Sequence, residues 1–192
     1  AKFKDHFSSH ADIYAQYRPH YPEELFEFIV STVKCRDTAW DCATGNGQAA
    51  VMLSRYFKRV IATDASANQI KHAKKKENVF YQIGPAEKTD LKDGSIDLVT
   101  VAAAIHWFAF DDFYKEVGRV SKDGGVIAVW TYDEVLVSKT IDPILRNFYR
   151  HTVGAYWPEG RKYVDEKYET VPFPFRKIDA PGFHIELTWT LE

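Results

Sequence analysis

The sequence predicts an α/β domain, a doubly wound and mostly parallel sheet with helices on both faces, and three observations carry that prediction. Helix-period and strand-period signals alternate from residue 22 to about residue 150, the pattern of strands joined by crossover helices. The first predicted strand runs directly into a glycine turn and a helix, at Asp41-Cys42-Ala43-Thr44-Gly45-Asn46-Gly47. The second predicted strand closes on an acid, Asp64.

Taken in order, Pro22 opens the first helix with Glu23 and Glu24 behind it, and Leu25, Phe26, Ile29, Val30 and Val33 recur at helical spacing. Thr38 to Ala43 reads as a short buried strand, followed after the turn by a helix from Gln48 to about Phe57. Arg59 to Asp64 is the second strand, and Ser66 to Lys76 the next helix. Val79 to Ile83 and Ser95 to Ala102 are the third and fourth strands. Asp111 to Val120 is a helix with Phe113, Val117 and Val120 on one face, and Gly124-Gly125 introduces a fifth strand, Val126 to Thr131. Beyond Asp133 the pattern loosens. A helix is expected from about Thr140 to His151 and a loop at Val171-Pro172-Phe173-Pro174-Phe175. The alternation from His184 to Leu191 predicts a last, half-exposed strand.

Composition narrows the function classes. The 192 residues carry 25 basic and 27 acidic side chains, a formal charge of −2, with 45% apolar residues. That balance supplies no long-range field for nucleic acid or an anionic membrane, so neither partner is expected. The basic run Lys71, Lys74, Lys75 and Lys76 reads as a solvated face. Cys35 and Cys42 form no disulfide framework and no zinc spacing, which fits a cytoplasmic location. The most apolar stretch, Leu98 to Phe110, is interrupted by Thr100 and His106 and is too short to span a bilayer. His6 and His10 share helical spacing but lack a third ligand, so no metal is expected.

In open parallel sheets, ligands sit outside the carboxyl ends of the strands where the strand order reverses. There, Gly45 and Gly47 permit a tight turn and close approach of a ligand to the main chain. Asp64 is placed to accept hydrogen bonds from two ribose hydroxyls, so a nucleoside-containing ligand is implied. The glycine turn alone also satisfies a relaxed dinucleotide pattern, Gly45-Asn46-Gly47-Gln48-Ala49-Ala50. Asp41 argues against an anionic pyrophosphate and for a ligand bearing an ammonium or sulfonium. A nicotinamide-dependent oxidoreductase is the rival reading, disfavoured by Asp41 and by the lack of a Tyr-x-x-x-Lys pair placed for hydride chemistry. A non-catalytic nucleoside-binding module is a second alternative.

At these residues the sequence resembles class I S-adenosylmethionine-dependent methyltransferases. Asp41 to Gly47 is similar to that family's first motif, with Ala43 where its first glycine usually stands, and Asp64 matches the ribose-binding acid. Gly84-Pro85-Ala86-Glu87 resembles the adenine-contacting segment, and Ser95-Ile96-Asp97-Leu98-Val99 the fourth-strand motif. Ala102 to Phe108 and Tyr14 to Pro22 resemble the small-molecule branch that includes trans-aconitate methyltransferases. The resemblance implies a Rossmann-like methyltransferase fold whose C-terminal strand pair is incomplete here. It implies a cofactor-capping stretch at 1–35, a cofactor-binding core at 36–132 and a substrate side at 133–192, all in one domain. The cofactor would be S-adenosyl-L-methionine, held by Tyr14, Arg18, Asp41, Ala43, Gly45, Gly47, Asp64, Ala65, Ala86, Glu87 and Ala102.

Methyl transfer from a sulfonium is an in-line displacement that rests on proximity, alignment and exclusion of water. A general base serves hydroxyl or amine acceptors, whereas an ionised oxygen attacks unaided. His106, at the end of the fourth strand, is the candidate catalytic base or substrate contact, with Trp107 and Trp130 beside it on the substrate side. Trp107, Phe108, Phe110 and Trp130 could form an apolar wall, core packing being the commoner role of such residues, and one of Arg146, Arg150 and Arg161 could meet an acidic substrate, surface charge being the alternative reading for each. The Asn/Asp-Pro-Pro-aromatic motif of nitrogen methylation is replaced by Ala104-Ile105-His106-Trp107. An oxygen or carbon acceptor on a small molecule is therefore expected, a carboxylate foremost.

Overall fold

Pro22 has no backbone N–H to donate, and the first helix begins directly after it: α1, Glu23–Ser31, carries two acids in its first turn and buries Leu25, Phe26, Ile29 and Val30. The structure, a computed structural model, describes residues 19–132 and 134–188. Five strands follow, β1 (Thr38–Cys42), β2 (Arg59–Asp64), β3 (Val79–Ile83), β4 (Ile96–Ala102) and β5 (Ser121–Trp130). They form one sheet in the order β3-β2-β1-β4-β5, and every pairing is parallel. Order reverses between β1 and β4, so the crevice at their carboxyl ends is the topological switch point.

Crossovers α2 (Gln48–Leu53), α3 (Ala67–Lys71) and α4 (Phe110–Val120) connect the strands. Residue alternation along the strands feeds two cores, one on each face. Ala39, Val60, Ala62 and Leu98 pack with Phe26, Ile29 and Leu53 from α1 and α2. Trp40, Ile61, Val99 and Val101 pack with Phe113, Val117 and Val120 from α4. Trp40 is fully buried and spends its single donor on Thr63 Oγ1 at 2.9 Å, so its burial leaves no polar debt.

At the amino end of the sheet Asp97 ties β4 to β1. Its Oδ2 accepts from the backbone N–H groups of Asp37 and Thr38 at 3.0 and 2.8 Å, and Lys122 Nζ lies 2.8 Å from Oδ1. The connection from β3 to β4 has no regular structure and is held by Glu116 and Arg119 of α4. Glu116 Oε1 accepts from the Thr89 amide and hydroxyl at 2.7 and 2.6 Å. Arg119 bonds both Glu116 oxygens and also donates to the carbonyls of Leu91 and Thr89 and to Asp93.

Several predicted boundaries move. The helix expected over Ser66 to Lys76 stops at Lys71, where His72 caps it, and Lys74 instead donates its amide to the Asn46 carbonyl at 3.1 Å. β5 starts at Ser121, ahead of the glycine pair, with a register irregularity between Ile96 and Leu98 on its neighbour. The helix expected near Thr140 forms as α5, Asp142–Asn147, and runs into a π-type turn over Phe148–Thr152. Among the described residues the predicted sixth strand does not form over 184–188, and 189–192 lie outside the described residues. Phe183 and Ile185 explain the alternation, since both pack on the core of the α1 face and Phe183 meets Phe28 at 5.9 Å. Period-two burial reports one covered face, and a strand also needs a hydrogen-bonded neighbour.

Candidate active site

The loop after β1 takes its shape from three residues in the left-handed region: Ala43 at φ 52°, Gly45 at φ 57° and Gly47 at φ 84°. Gly47 sits against the Tyr81 ring, and a Cβ there would overlap the Tyr81 hydroxyl. Tyr81 reaches the loop from β3 and donates to the Lys74 carbonyl at 2.7 Å. The chain then enters α2 with the Val51 amide on the Gly47 carbonyl.

Asp41 lies under this loop, 1% exposed. Parallel register sets it level with Thr100 of β4, whose hydroxyl donates to Oδ1 at 2.7 Å, while the Thr44 hydroxyl donates to Oδ2 at 2.5 Å. Burial pushes the Asp41 carboxyl up to about 6, against the opposing hydrogen bonds from Thr44, Thr100 and the Ala50 amide, and the charge of Asp64 adds to the rise. Asp64 ends β2 and ties two loops together, its oxygens accepting from the Gly45 and Ser66 amides at 2.8 Å each. The Ser66 hydroxyl accepts from the Gln69 amide and caps α3.

Across the switch point, β4 ends in Ala102, and Ala103 turns in the left-handed region at φ 53°, its amide on the Trp130 carbonyl at 2.8 Å. A 3-10 turn, Ile105–Trp107, follows. His106 packs at a tilt of 46° against Trp107, with ring centroids 4.6 Å apart, and its Nδ1 lies 2.7 Å from the Tyr168 hydroxyl. Burial, and secondarily the charge of Arg161, lowers His106 to about 4, so the ring is neutral at physiological pH. Arg161 opens a short helix, α6 (Arg161–Asp165). Its guanidinium lies over the Trp157 and Tyr149 rings at 4.8 and 5.2 Å, and Nε donates to the Tyr149 hydroxyl at 2.5 Å. Arg150, Arg161, Lys162, Trp157 and Asp165 line an open cavity of about 330 Å³.

Known proteins are similar to this chain in sequence and in fold. Residues 40–129 match a family described as "Methyltransferase domain". A protein of Dictyostelium discoideum named as a methyltransferase is 41% identical over 87% of this chain, and the chain spans 65% of that protein's length. A solved structure from Anaeromyxobacter dehalogenans, described as a type II methyltransferase, is 38% identical with a TM-score of 0.79, over 86% of this chain and 70% of that one. The chain belongs to the methyltransferase domain family. A malonyl-[acyl-carrier protein] O-methyltransferase of Marinomonas is 33% identical over 70% of this chain and 52% of its own length.

Within the methyltransferase domain, the predicted cofactor residues Asp41 and Asp64 stand near the carboxyl ends of β1 and β2, Ala43, Gly45, Gly47 and Ala65 lie in the loops that follow, and Ala102 ends β4. Ala86 is buried, and Glu87 Oε1 accepts from the Ala109 amide at 3.0 Å, fastening that segment to the start of α4. Tyr14 and Arg18, like His6 and His10, lie outside the described residues. The aromatic wall is not assembled as expected. Trp130 packs edge-on against Tyr21 and Phe26, whereas Phe108 and Phe110 pack with Phe113 and Tyr114 in the core of the opposite face. Trp107 stays 41% exposed beside His106. They separate because Trp130 ends β5 and faces the α1 side, whereas Phe108 and Phe110 lead into α4, which covers the opposite face of the sheet. Arg146 is paired with Glu134 at 2.8 Å. Tyr163 and Lys167 have the Tyr-x-x-x-Lys spacing, but Tyr163 packs edge-on against Phe110 at 5.3 Å.

Sequence reasoning missed Thr44, Thr100, Tyr81 and Tyr168. Thr100 had a signal, a hydroxyl within the apolar run Leu98 to Ala102 of β4; Tyr168 had none, since it meets His106 across 62 residues. Ala43 yields a direct test. A left-handed backbone costs a non-glycine residue about 1–2 kcal/mol, part of which glycine forfeits to unfolded-state entropy. Ala43→Gly is expected to raise stability by about 0.5–1 kcal/mol, read as a higher urea midpoint at constant slope. A lowered midpoint would show that position 43 bears no such strain.

Proposed function

We propose that this methyltransferase domain binds S-adenosylmethionine across the carboxyl ends of β1, β2 and β4 and methylates an oxygen of a small acidic molecule. The observation that carries this reading is the loop itself. Its three left-handed residues turn the backbone sharply at the switch point, Gly47 makes room for Tyr81 beneath the turn, and the Gly45 amide ties the loop to the acid at the end of β2. Gln48 fits as well: its Oε1 is buried at the loop's exit with no partner among the described residues, an acceptor suited to a ligand ammonium or hydroxyl. A sulfonium cofactor supplies an electrophilic methyl carbon and leaves as a neutral thioether.

The residues of the chain then have separable tasks. Asp64, whose carboxylate offers about four acceptor sites, holds the ribose diol as well as the loop amides. Asp41 shapes the loop from beneath through Thr44 and Thr100. Ala86 and Glu87, in the segment after β3, would meet the base, and Ala102, at the end of β4, would lie near the reacting atoms. His106, Trp107 and the Arg161 guanidinium lie at the acceptor end, with charge and hydrogen-bonding capacity suited to a carboxylate. The Marinomonas relative, by its name an O-methyltransferase, supports an oxygen acceptor.

Calorimetric titration with S-adenosylhomocysteine and, in parallel, NADH tests the cofactor. Two hydrogen bonds to a charged group contribute about 1.5 kcal/mol or more each, so Asp64→Ala is expected to weaken S-adenosylhomocysteine about 100-fold or further. NADH should give no heat beyond dilution. Binding of NADH alone would overturn the reading.

A further inference from the structure

After α6 the backbone does something costly. Lys167 and Tyr168 both adopt the left-handed region, at φ 53° and 64°, two consecutive non-glycine residues in a conformation that L side chains avoid. Such outliers persist where surrounding structure over-determines them, and they cluster at functional sites. Here the turn is closed by the Tyr168 amide on the Tyr163 carbonyl at 2.7 Å and by the Lys167 amide on Val164 at 2.9 Å. It is followed by Val171, buried in the α4-side core. Its effect is to bring the Tyr168 hydroxyl to His106 Nδ1.

We propose that Tyr168 is a positioning residue for His106: its phenol donates to Nδ1 and holds the imidazole in the Nε2–H form, so His106 meets a methyl acceptor as a hydrogen-bond donor and not as a base. The direction of the bond follows from the chemistry of the pair. A neutral imidazole has one protonated nitrogen and one acceptor nitrogen. The acceptor nitrogen's lone pair lies in the ring plane and is basic, while a phenol oxygen shares its lone pair with the ring and is the weaker acceptor but a good donor. The 2.7 Å separation therefore belongs to O–H···N, and the ring proton resides on Nε2, which has no partner among the described residues.

Burial and the nearby Arg161 charge keep the ring neutral, so a single N–H is what the site offers. On the methyl-transfer reading, this restricts the acceptor to one that arrives already ionised. A carboxylate or other oxyanion takes the Nε2–H bond and presents its second oxygen or lone pair to the methyl carbon, and no proton has to be removed.

The tautomer is readable without any ligand. In the whole chain labelled with 15N-histidine, a long-range 1H–15N spectrum at pH 7 reports which nitrogen of His106 carries the proton, with His106→Gln assigning the signal. The expected result is an unprotonated Nδ1 and a protonated Nε2 in the native chain, and a shift toward the other tautomer in Tyr168→Phe. A protonated Nδ1 in the native chain overturns the proposal, as does a tautomer indifferent to Tyr168→Phe in a folded variant. If that variant does not fold, the native spectrum alone decides. Failure to bind S-adenosylhomocysteine would remove the methyl-transfer reading and leave the tautomer assignment standing.

Discussion

Replacing Glu116 with alanine is expected to lower the unfolding free energy by about 2–4 kcal/mol, because it removes a largely buried carboxylate that accepts hydrogen bonds from Thr89 and Arg119, while Arg119 keeps Asp93 as a partner. The Glu116 side chain is only 7% exposed and accepts from both Arg119 and Thr89. Burial by itself would raise its carboxyl, but the hydrogen bonds from Arg119 and Thr89 outweigh burial and hold it at about 2. For a chain of this size the loss corresponds to a melting temperature lower by about 10 °C. The damage should spread toward the site, since the same network fastens the connection that carries Ala86 and Glu87. Thermal and urea unfolding of Glu116→Ala measure it, and a loss below about 1 kcal/mol would show that the network contributes no more than an exposed pair does.

The second large effect is a stability profile with two opposed acid limbs. Asp41 is raised from 3.8 to about 6 on folding, so the folded chain binds its proton more tightly than the unfolded chain and gains stability as pH falls. The gain is about 1 kcal/mol by pH 5 and about 3 kcal/mol once pH is well below 3.8. Glu116 runs the other way: held at about 2 against an ordinary 4.5, it contributes fully above 4.5 and loses that contribution as pH falls toward 2. From these two groups, stability should rise from pH 7 to about 4.5 and then decline. Asp41→Asn, which resembles the protonated acid, should remove the rise and leave the decline. Urea midpoints at half-unit pH intervals test this; a native chain that weakens steadily from pH 7 to 5 would reject the raised Asp41.

Much of the fold is written locally. β1 to β4 are short, apolar and bounded by turn residues, and their centres fall where periodicity puts them; β5 is recognisable although the ladder extends it past the glycine pair. The loop residues Asp41, Gly45, Gly47 and Asp64 are legible because the backbone's needs at a switch point are also local. What is not legible depends on partners distant in sequence. Asp41 reads as a ligand carboxylate until register sets Thr100 opposite it. The aromatics 107, 108, 110 and 130 read as one wall until the sheet divides them. His106 reads as a base or a substrate contact, and the hydroxyl on its ring comes from 62 residues away. The alternation from residue 184 fails for the same reason, since a covered face looks identical whether or not a neighbouring strand exists.

The strand order also sets a timetable for synthesis. β1 pairs with β2 on one side and with β4 on the other, but β4 follows only after β2, β3 and the long tethered connection have been made. At ribosomal speeds of about 5–20 residues per second, the 60 residues from Cys42 to Ala102 take about 3–12 s to appear. During that interval the apolar flank of β1, Trp40 included, has an unfilled ladder on the side where β4 belongs. A nascent chain stalled between these strands presents a ready edge to any other extended peptide, so the vulnerable moment for aggregation is the wait for β4, well before the ligand site exists.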